Sequence, residues 1–144
     1  MRPLLVLLLL VAGIAGAAAQ PAARITTDIP YGGIERQKLD LYLPPGESDD
    51  APVLVFFYGG GWERGAKEDL KATAESLAAA GMIVAVPDYR LYPDAVFPQF
   101  VEDCALAVAR VRALVGDLGG RHALFVGGHS AGAYNAAMLA ADER

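Results

Sequence analysis

The sequence has 144 residues, 54% of them hydrophobic, and carries a formal net charge of −5. This hydrophobic content excludes a disordered chain, and the length is sufficient for one domain with a buried core. The negative charge and the lack of any basic cluster in the sequence offer no attraction to a phosphate backbone, so we expect no nucleic-acid partner.

The N-terminal residues have the pattern of an export signal. Arg2 precedes an apolar run over residues 4–14, and residues 17–19 are the small alanines that a signal peptidase requires. The apolar run is shorter than the roughly 20 residues that a membrane span needs. We therefore expect residues 1–19 to be a cleaved signal peptide, and the mature protein to be secreted or periplasmic without a membrane span.

Two strands are predicted next, over residues 24–29 and 37–43, with a glycine-containing turn between them. In the second strand, leucines alternate with Lys38, Asp40 and Tyr42. This period of two favours a strand near a sheet edge with one face in water.

Three apolar runs then alternate with three helical patterns, and the runs predict strands that are buried on both faces. The runs lie at residues 53–57, 82–86 and 123–126, and the helices are expected over 67–80, from Pro98 to Gly116, and from Ser130 toward Asp142. This alternation predicts an α/β fold with a mostly parallel sheet and helices on both faces. Residues 20–144 are interpreted as one domain.

The turn before the last predicted helix carries the sequence Gly128-His129-Ser130-Ala131-Gly132. Between a buried strand and a helix, the G-x-S-x-G pattern predicts a sharp, strained turn that exposes the hydroxyl of Ser130. Side chains at Gly128 and Gly132 would collide across such a turn, so both positions need glycine. Ser130 is therefore the candidate nucleophile, with a glycine-rich turn capped by a serine as the alternative.

Three glycines follow the first buried strand, in the segment Tyr-Gly-Gly-Gly-Trp at residues 58–62. Backbone N–H groups that point at the oxyanion of a tetrahedral intermediate stabilise it by about 3 kcal/mol each. We assign Gly60, Gly61 and, from the elbow, Ala131 as donors. No G-K-[ST] sequence follows, which argues against a phosphate-binding loop. The two motifs together predict acyl transfer through a serine.

These motifs, together with residues 88–91 (Asp-Tyr-Arg-Leu) and 97–103, resemble the esterase/lipase group of the α/β-hydrolase superfamily. The group includes enzymes similar to hormone-sensitive lipase, feruloyl esterases and kynurenine formamidases. The resemblance implies a carboxylesterase with a Ser-His-Asp triad and a small-molecule ester substrate, and it implies no metal and no cofactor. In this group the segment at Asp88 is largely structural, and histidine usually stands at the position of Tyr58, a change that leaves the backbone donors intact.

Neither histidine is expected to be the catalytic base. His129 adjoins Ser130 in a tight turn that directs its side chain away, which leaves packing or lining of the substrate pocket. His122 begins the strand that ends at the elbow, at least five residues of ~3.3 Å each from the active edge. Because the acid and the histidine of such a triad follow the serine in chain order, we interpret the chain as a hydrolase truncated after the elbow. Such a chain is expected to be inactive and poorly stable, with its last strand left as a hydrophobic edge.

Several interpretations remain open. Trp62, Tyr92 and Phe97 are candidates for lining the substrate pocket, although such residues more often pack within loops. Cys104 is the only cysteine and is expected to be an unreactive core residue. An arylformamidase or a peptidase with the same machinery is the alternative enzyme, and a non-catalytic hydrolase-fold binding protein is the alternative from another class.

Overall fold

The computed structural model describes residues 22–46 and 49–141. The predicted signal peptide lies outside these residues, as does Asp142 at the predicted end of the last helix. Every other predicted strand and helix is present, with bounds that differ by a few residues. The elements are β1 (Arg24–Pro30), β2 (Lys38–Leu43), β3 (Val53–Phe57), a 3-10 turn (Lys67–Leu70) leading into α1 (Lys71–Ala79), β4 (Ile83–Pro87), α2 (Gln99–Gly116), β5 (Leu124–Gly128) and α3 (Ala131–Ala141). None of the described helices combines the length and the apolar character needed to cross a membrane.

The five described strands form one sheet in the order β1-β2-β4-β3-β5. Strand β2 is antiparallel to both of its neighbours, whereas β3 is parallel to β4 and to β5. Four strands therefore point in the same direction and only β2 opposes them, which confirms the mostly parallel sheet. The carboxyl ends of β3, β4 and β5 consequently lie along the same edge.

The helices cover both faces of this sheet, as predicted. On one face, β3 and β4 pack against α2 and α3 in the larger core cluster, which includes Val55, Phe57 and Val111. Cys104 belongs to the same cluster and is fully buried, which confirms its place in the core. On the other face, α1 packs alanines against β2 and β4 in a smaller cluster. Each large apolar side chain removed from water in this way stabilises the fold by about 1.5–3 kcal/mol.

The expectation of a water-exposed face on β2 is wrong. Asp40 and Tyr42 are only 4% and 1% exposed. The 3-10 turn and α1 cover this face, and the ammonium of Lys67 lies 2.9 Å from Asp40 Oδ1 and 3.2 Å from Asp28 Oδ1. A carboxylate can be buried at this position because a cation is buried beside it.

The expectation that the third apolar run is buried on both faces is also wrong. Strand β5 pairs with β3 and is the outermost strand of the described sheet. Phe125 is 54% exposed, and Leu124 and Val126 are half-buried. An edge strand lacks a neighbour on one side, so its apolar side chains remain partly in water. Within the described sheet, β5 therefore forms a partly exposed apolar edge.

A buried ion pair joins α2 to the segment that follows β4. The carboxylate of Asp103 is fully buried and accepts hydrogen bonds from the guanidinium of Arg90 at 2.7 and 2.8 Å. It also accepts from the Arg90 backbone N–H at 2.9 Å and from Gln37 Nε2 at 2.8 Å. Two hydrogen bonds between a guanidinium and a carboxylate fix the relative orientation of the two groups as well as their distance. Asp103 therefore holds the loop after β4 against α2.

Replacement of Asp103 by alanine would leave the Arg90 guanidinium without its carboxylate. We expect Asp103→Ala to lower the free energy of unfolding by about 3 kcal/mol, since breaking a buried pair leaves an uncompensated charge. The midpoint of urea denaturation measures the loss. Glu102→Ala, an exposed neighbour on the same helix turn, is the control and should change stability by less than about 0.5 kcal/mol. Equal midpoints for the two variants would contradict the assignment.

Helix α3 begins against the backbone of β3. A Cβ atom on Gly132 would lie 2.2 Å from the carbonyl oxygen of Phe57 and 2.4 Å from that of Tyr58. Backbone atoms cannot move aside as a flexible side chain can, so this approach requires glycine. Position 128 also requires glycine, because a Cβ there would lie 2.3 Å from the carbonyl group of Gly132. The clash at each position is with backbone atoms, and not between two side chains as predicted.

A methyl group at position 132 should push α3 away from β3. We expect Gly132→Ala to destabilise the protein by about 1–3 kcal/mol, the usual cost of overpacking. Gly116→Ala is the matched control: this glycine ends α2, and a Cβ there would meet nothing within 4 Å. The control should be neutral or stabilising by up to about 1 kcal/mol. The melting temperatures of both variants test this expectation. An unchanged melting temperature for Gly132→Ala would refute the close approach of position 132 to the carbonyl oxygens of Phe57 and Tyr58.

Candidate active site

Three loops meet at the carboxyl edge of the parallel strands. The glycine loop, residues 58–65, follows β3, the segment from Asp88 to Pro98 follows β4, and the elbow, residues 128–132, follows β5. In open α/β sheets ligands bind outside this edge. The predicted motifs therefore lie where an α/β protein places its site.

Ser130 lies at the tip of the elbow. Its φ angle is +53°, a left-handed conformation that is uncommon for a residue with a side chain, and the residue is exposed. The turn is held by hydrogen bonds from His129 N to Phe57 O at 3.1 Å and from Gly132 N to His129 O at 2.9 Å. Strain of this kind, on the order of 1–3 kcal/mol, persists only where the surroundings enforce it. The elbow thus presents a serine hydroxyl to solvent in a fixed direction.

The glycine loop packs directly on the elbow. A Cβ on Gly59 would lie 2.9 Å from the ring Nδ1 of His129 and 3.0 Å from the Cβ of Ser130. Gly60 and Gly61 have φ angles of +128° and +64°, which other residues rarely adopt. Among the hydrogen bonds within residues 22–46 and 49–141, none is donated by the amide of Gly60 or Gly61. Their role as oxyanion donors stays a prediction.

Ala131 supplies the third predicted donor. It is the first residue of α3, so its amide has no acceptor within the helix. The partial positive charge of a helix N-terminus also favours an anion there. This amide directly follows Ser130, whose Cβ lies against Gly59 of the glycine loop.

Tyr58 holds the glycine loop from behind. Its ring stacks on Tyr89 with centroids 4.6 Å apart, and its backbone oxygen accepts a hydrogen bond of 2.7 Å from the Tyr89 hydroxyl. The guanidinium of Arg36 donates to the Tyr58 hydroxyl at 2.9 Å and to the Tyr89 carbonyl at 2.8 Å. Burial raises the pKa of Tyr58, so its hydroxyl stays neutral. Arg36 was not identified from the sequence, because its partners are distant along the chain.

Asp88 has the structural role expected from the resemblance. Its Oδ1 accepts a hydrogen bond of 2.9 Å from the backbone N–H of Lys67 and lies 3.7 Å from the guanidinium of Arg36. Its carbonyl oxygen accepts a hydrogen bond from the hydroxyl of Tyr31. Burial raises the pKa of Asp88, and the contacts with Lys67 and Arg36 oppose that effect. These contacts join the ends of β2 and β4 to the turn before α1.

Trp62 ends the glycine triplet with a φ of +60° and packs into the protein. Its indole stacks on Phe100 of α2, with ring centroids 5.2 Å apart, and meets Tyr134 of α3 edge-on at 5.4 Å. Its Nε1 donates to Asn135 Oδ1 at 3.0 Å. Contacts within the protein therefore explain the position of the Trp62 side chain, and its contact with a substrate stays a prediction. The other aromatic candidates, Tyr92 and Phe97, are exposed.

The two histidines lie at opposite ends of β5. The ring nitrogens of His122 lie 2.9 Å from the carbonyl oxygen of Ala51 and 2.7 Å from that of Gly119, at the end remote from Ser130. His129 is exposed beside Gly59 in the elbow. The expectation that His122 is too distant to act on Ser130 is confirmed, and lining of a pocket by His129 stays a prediction.

Comparisons with known proteins agree with this geometry. The BD-FAE family model matches residues 39–144. A kynurenine formamidase from Danio rerio is 33% identical over 121 residues, which cover 84% of this chain and 40% of that protein. The carboxylesterase NlhH from Mycobacterium tuberculosis (strain ATCC 25618 / H37Rv) is 34% identical over 113 residues, covering 76% and 35% of the two chains.

A similar solved structure is that of esterase B from Lactobacillus rhamnosis with a tributyrin phosphonate. It superposes with a TM-score of 0.75 at 25% identity, over 82% of this chain and 40% of the esterase. The chain spans about two fifths or less of the length of the relatives that it matches. On the family match and the shared fold, the chain belongs to the BD-FAE family and has the fold of the α/β-hydrolase esterases.

Proposed function

We propose that the protein is a serine hydrolase that cleaves small carboxylic esters through an acyl-enzyme on Ser130. The observation that carries the proposal is the strained, exposed Ser130 at φ +53° with the glycine loop packed against its Cβ. A non-glycine residue in this conformation is costly, and such strain is concentrated at functional sites. A glycine-rich turn with a capping serine would not need a second loop with unused amides beside it.

In the proposed reaction the Ser130 oxygen attacks the ester carbonyl carbon and gives its proton to a base. The carbonyl oxygen becomes an oxyanion, which accepts hydrogen bonds from the amides of Gly60, Gly61 and Ala131. Collapse of this intermediate expels the alcohol, which takes the proton from the base, and leaves the acyl group on Ser130. Water then repeats the sequence, releasing the acid and restoring the serine hydroxyl. The base and its acid, expected after Ser130 in chain order, are not among the described residues.

An amide-cleaving enzyme is the second candidate, and the 33% identity to a kynurenine formamidase favours it. The same nucleophile and oxyanion donors serve both bonds, since both pass through a tetrahedral intermediate. The two candidates differ in the leaving group, which must be protonated earlier and more fully when it is an amine. Relative kcat/KM for p-nitrophenyl acetate and for an N-formylated arylamine distinguishes them.

Substitution of the nucleophile tests the proposal. In the full-length protein we expect Ser130→Ala to lower kcat for p-nitrophenyl acetate by at least about 1,000-fold, because no hydroxyl remains to form the acyl-enzyme. A fluorophosphonate should label the wild type at Ser130, as shown by mass spectrometry of the peptide, and should not label the variant.

Ser76→Ala is the matched control, since Ser76 is an exposed serine of α1 whose hydroxyl donates to the carbonyl of Ala72 within its own helix. Its kcat should equal that of the wild type. A wild-type protein that binds ester analogues without turnover or labelling would instead support the non-catalytic binding protein.

We also propose that the protein is exported and that its signal peptide is removed after Ala19. The basis is the short apolar run that follows Arg2 and ends in alanines. The full-length protein expressed with a C-terminal tag should be recovered outside the cytoplasm with Gln20 as its first residue, as determined by N-terminal sequencing. Recovery in the cytoplasm with Met1 or Arg2 retained would contradict export.

A further inference from the structure

We infer that Asn135 is a positioning residue that fixes the glycine loop relative to the nucleophile elbow through the indole of Trp62. The inference rests on the proposed function and adds to it a buried residue that lies outside both motifs. Asn135 lies in the second turn of α3, five positions after Ser130, and is fully buried. Trp62 follows directly on Gly61, the last glycine of the triplet.

The hydrogen bond between the two side chains has only one possible orientation. An indole N–H is a donor without acceptor capacity, so the amide group of Asn135 must present its oxygen to Trp62. The observed Nε1 to Oδ1 distance is 3.0 Å, and the amide nitrogen faces the sulfur of Cys104 at 3.5 Å. The amide oxygen of Asn135 therefore accepts from the indole N–H of Trp62, and its amide nitrogen donates to the sulfur of Cys104.

A polar group at this place needs an explanation. Asn135 is fully buried between the indole of Trp62 and Cys104 of α2, where an aliphatic residue would fill space without desolvating an amide. Burying an amide costs free energy unless its hydrogen bonds are made, so the gain must come from the arrangement that they select. The arrangement selected here is the position of the Trp62 indole. The indole meets Tyr134 of α3 edge-on and stacks on Phe100 of α2.

The elements joined by this hydrogen bond are the two that supply the oxyanion donors. Gly60 and Gly61 immediately precede Trp62, and Ala131 opens the helix that carries Asn135. Donors must converge on one oxygen at about 2.7–3.1 Å, and a misplacement of about 1 Å costs on the order of 100-fold in rate. A bond that ties one element to the other therefore acts on the transition state, in which the oxyanion is formed.

The test compares variants of the full-length protein with an activated ester as substrate. We expect Asn135→Leu to lower kcat by about tenfold to 100-fold, while KM changes by less than about twofold, because ground-state binding does not require the converged donors. Trp62→Phe keeps the ring stack and removes the N–H group, so it should lower kcat similarly. The double variant should be no slower than either single variant, because both remove the same hydrogen bond.

A merely structural role for Asn135 predicts a different result. Val111→Ala, which truncates a fully buried side chain of α2, is the control for lost stability and should lower the melting temperature without changing kcat. If Asn135→Leu behaves like this control, or if the effects of the two single variants on kcat multiply in the double variant, the inference is overturned. If the wild type hydrolyses esters but the variants give either of these results, only the role of Asn135 is overturned and the proposed function stands. A wild type that does not hydrolyse esters overturns both the proposed function and the role of Asn135.

Discussion

The candidate site depends on a contact between main chains, at the place where the start of α3 meets the end of β3. Gly132 lies against the carbonyl oxygens of Phe57 and Tyr58, and the amide of His129 donates to Phe57 O at 3.1 Å. At this point the main chains of the elbow and of the end of β3 lie directly against each other, so their separation here is set by backbone packing and a hydrogen bond. A site built in this way has little freedom to relax, which is the condition under which a strained residue such as Ser130 persists.

The side chains behind this contact keep the loops from moving apart. On one side, Arg36, Tyr58 and Tyr89 hold the glycine loop against the end of β4. On another side, Lys67 lies in a group of acidic residues that joins α1 to the first hairpin. Burial alone would lower the pKa of Lys67, but its hydrogen bonds to Glu68, Asp40 and Asp28 outweigh this effect and raise it, so the ammonium stays charged. Each described buried charge thus has a partner of opposite sign, which is the condition for burying it.

Local patterns in the sequence were sufficient for the elements and for both motifs. Apolar runs and glycines around a serine are signals within a few residues of the feature they specify. Gly81, which follows the end of α1 at φ +100°, is another local signal of this kind. The exposure of β2 and the burial of β5 were predicted wrongly, because both depend on which element covers a strand. The alternation in β2 separates leucines from the other side chains, but it does not say whether the second face is exposed. Lys67 and α1, which are distant in sequence, cover that face and bury Asp40 and Tyr42.

The supporting residues were missed for the same reason. Asn135 and Trp62 are 73 positions apart, and Arg36 and Tyr89 are 53 apart. One signal was available for Asn135, since it is the only amide in a helix that is otherwise mostly alanine and apolar. Such a residue on the buried side of a helix needs a partner, but the sequence alone does not say that the partner is the indole of Trp62.

The tyrosine at position 58 stands where the resemblance to the esterase/lipase group led us to expect histidine. This difference is explained by a separation of roles between the main chain and the side chain in the glycine loop. Because the donors that we propose in the glycine loop are amides, that role does not require the side chain at position 58 to reach the reacting atoms. That side chain has only to hold the loop from behind, and a phenol does so by stacking on Tyr89 and accepting from Arg36. Gly65 meets the same requirement: a Cβ there would lie 2.6 Å from the ring of Tyr58, so the loop returns past the ring only as glycine. The aromatic ring at position 58 and the glycine at position 65 are therefore required together. A histidine at position 58 would also remove the phenol oxygen that accepts a hydrogen bond from the guanidinium of Arg36.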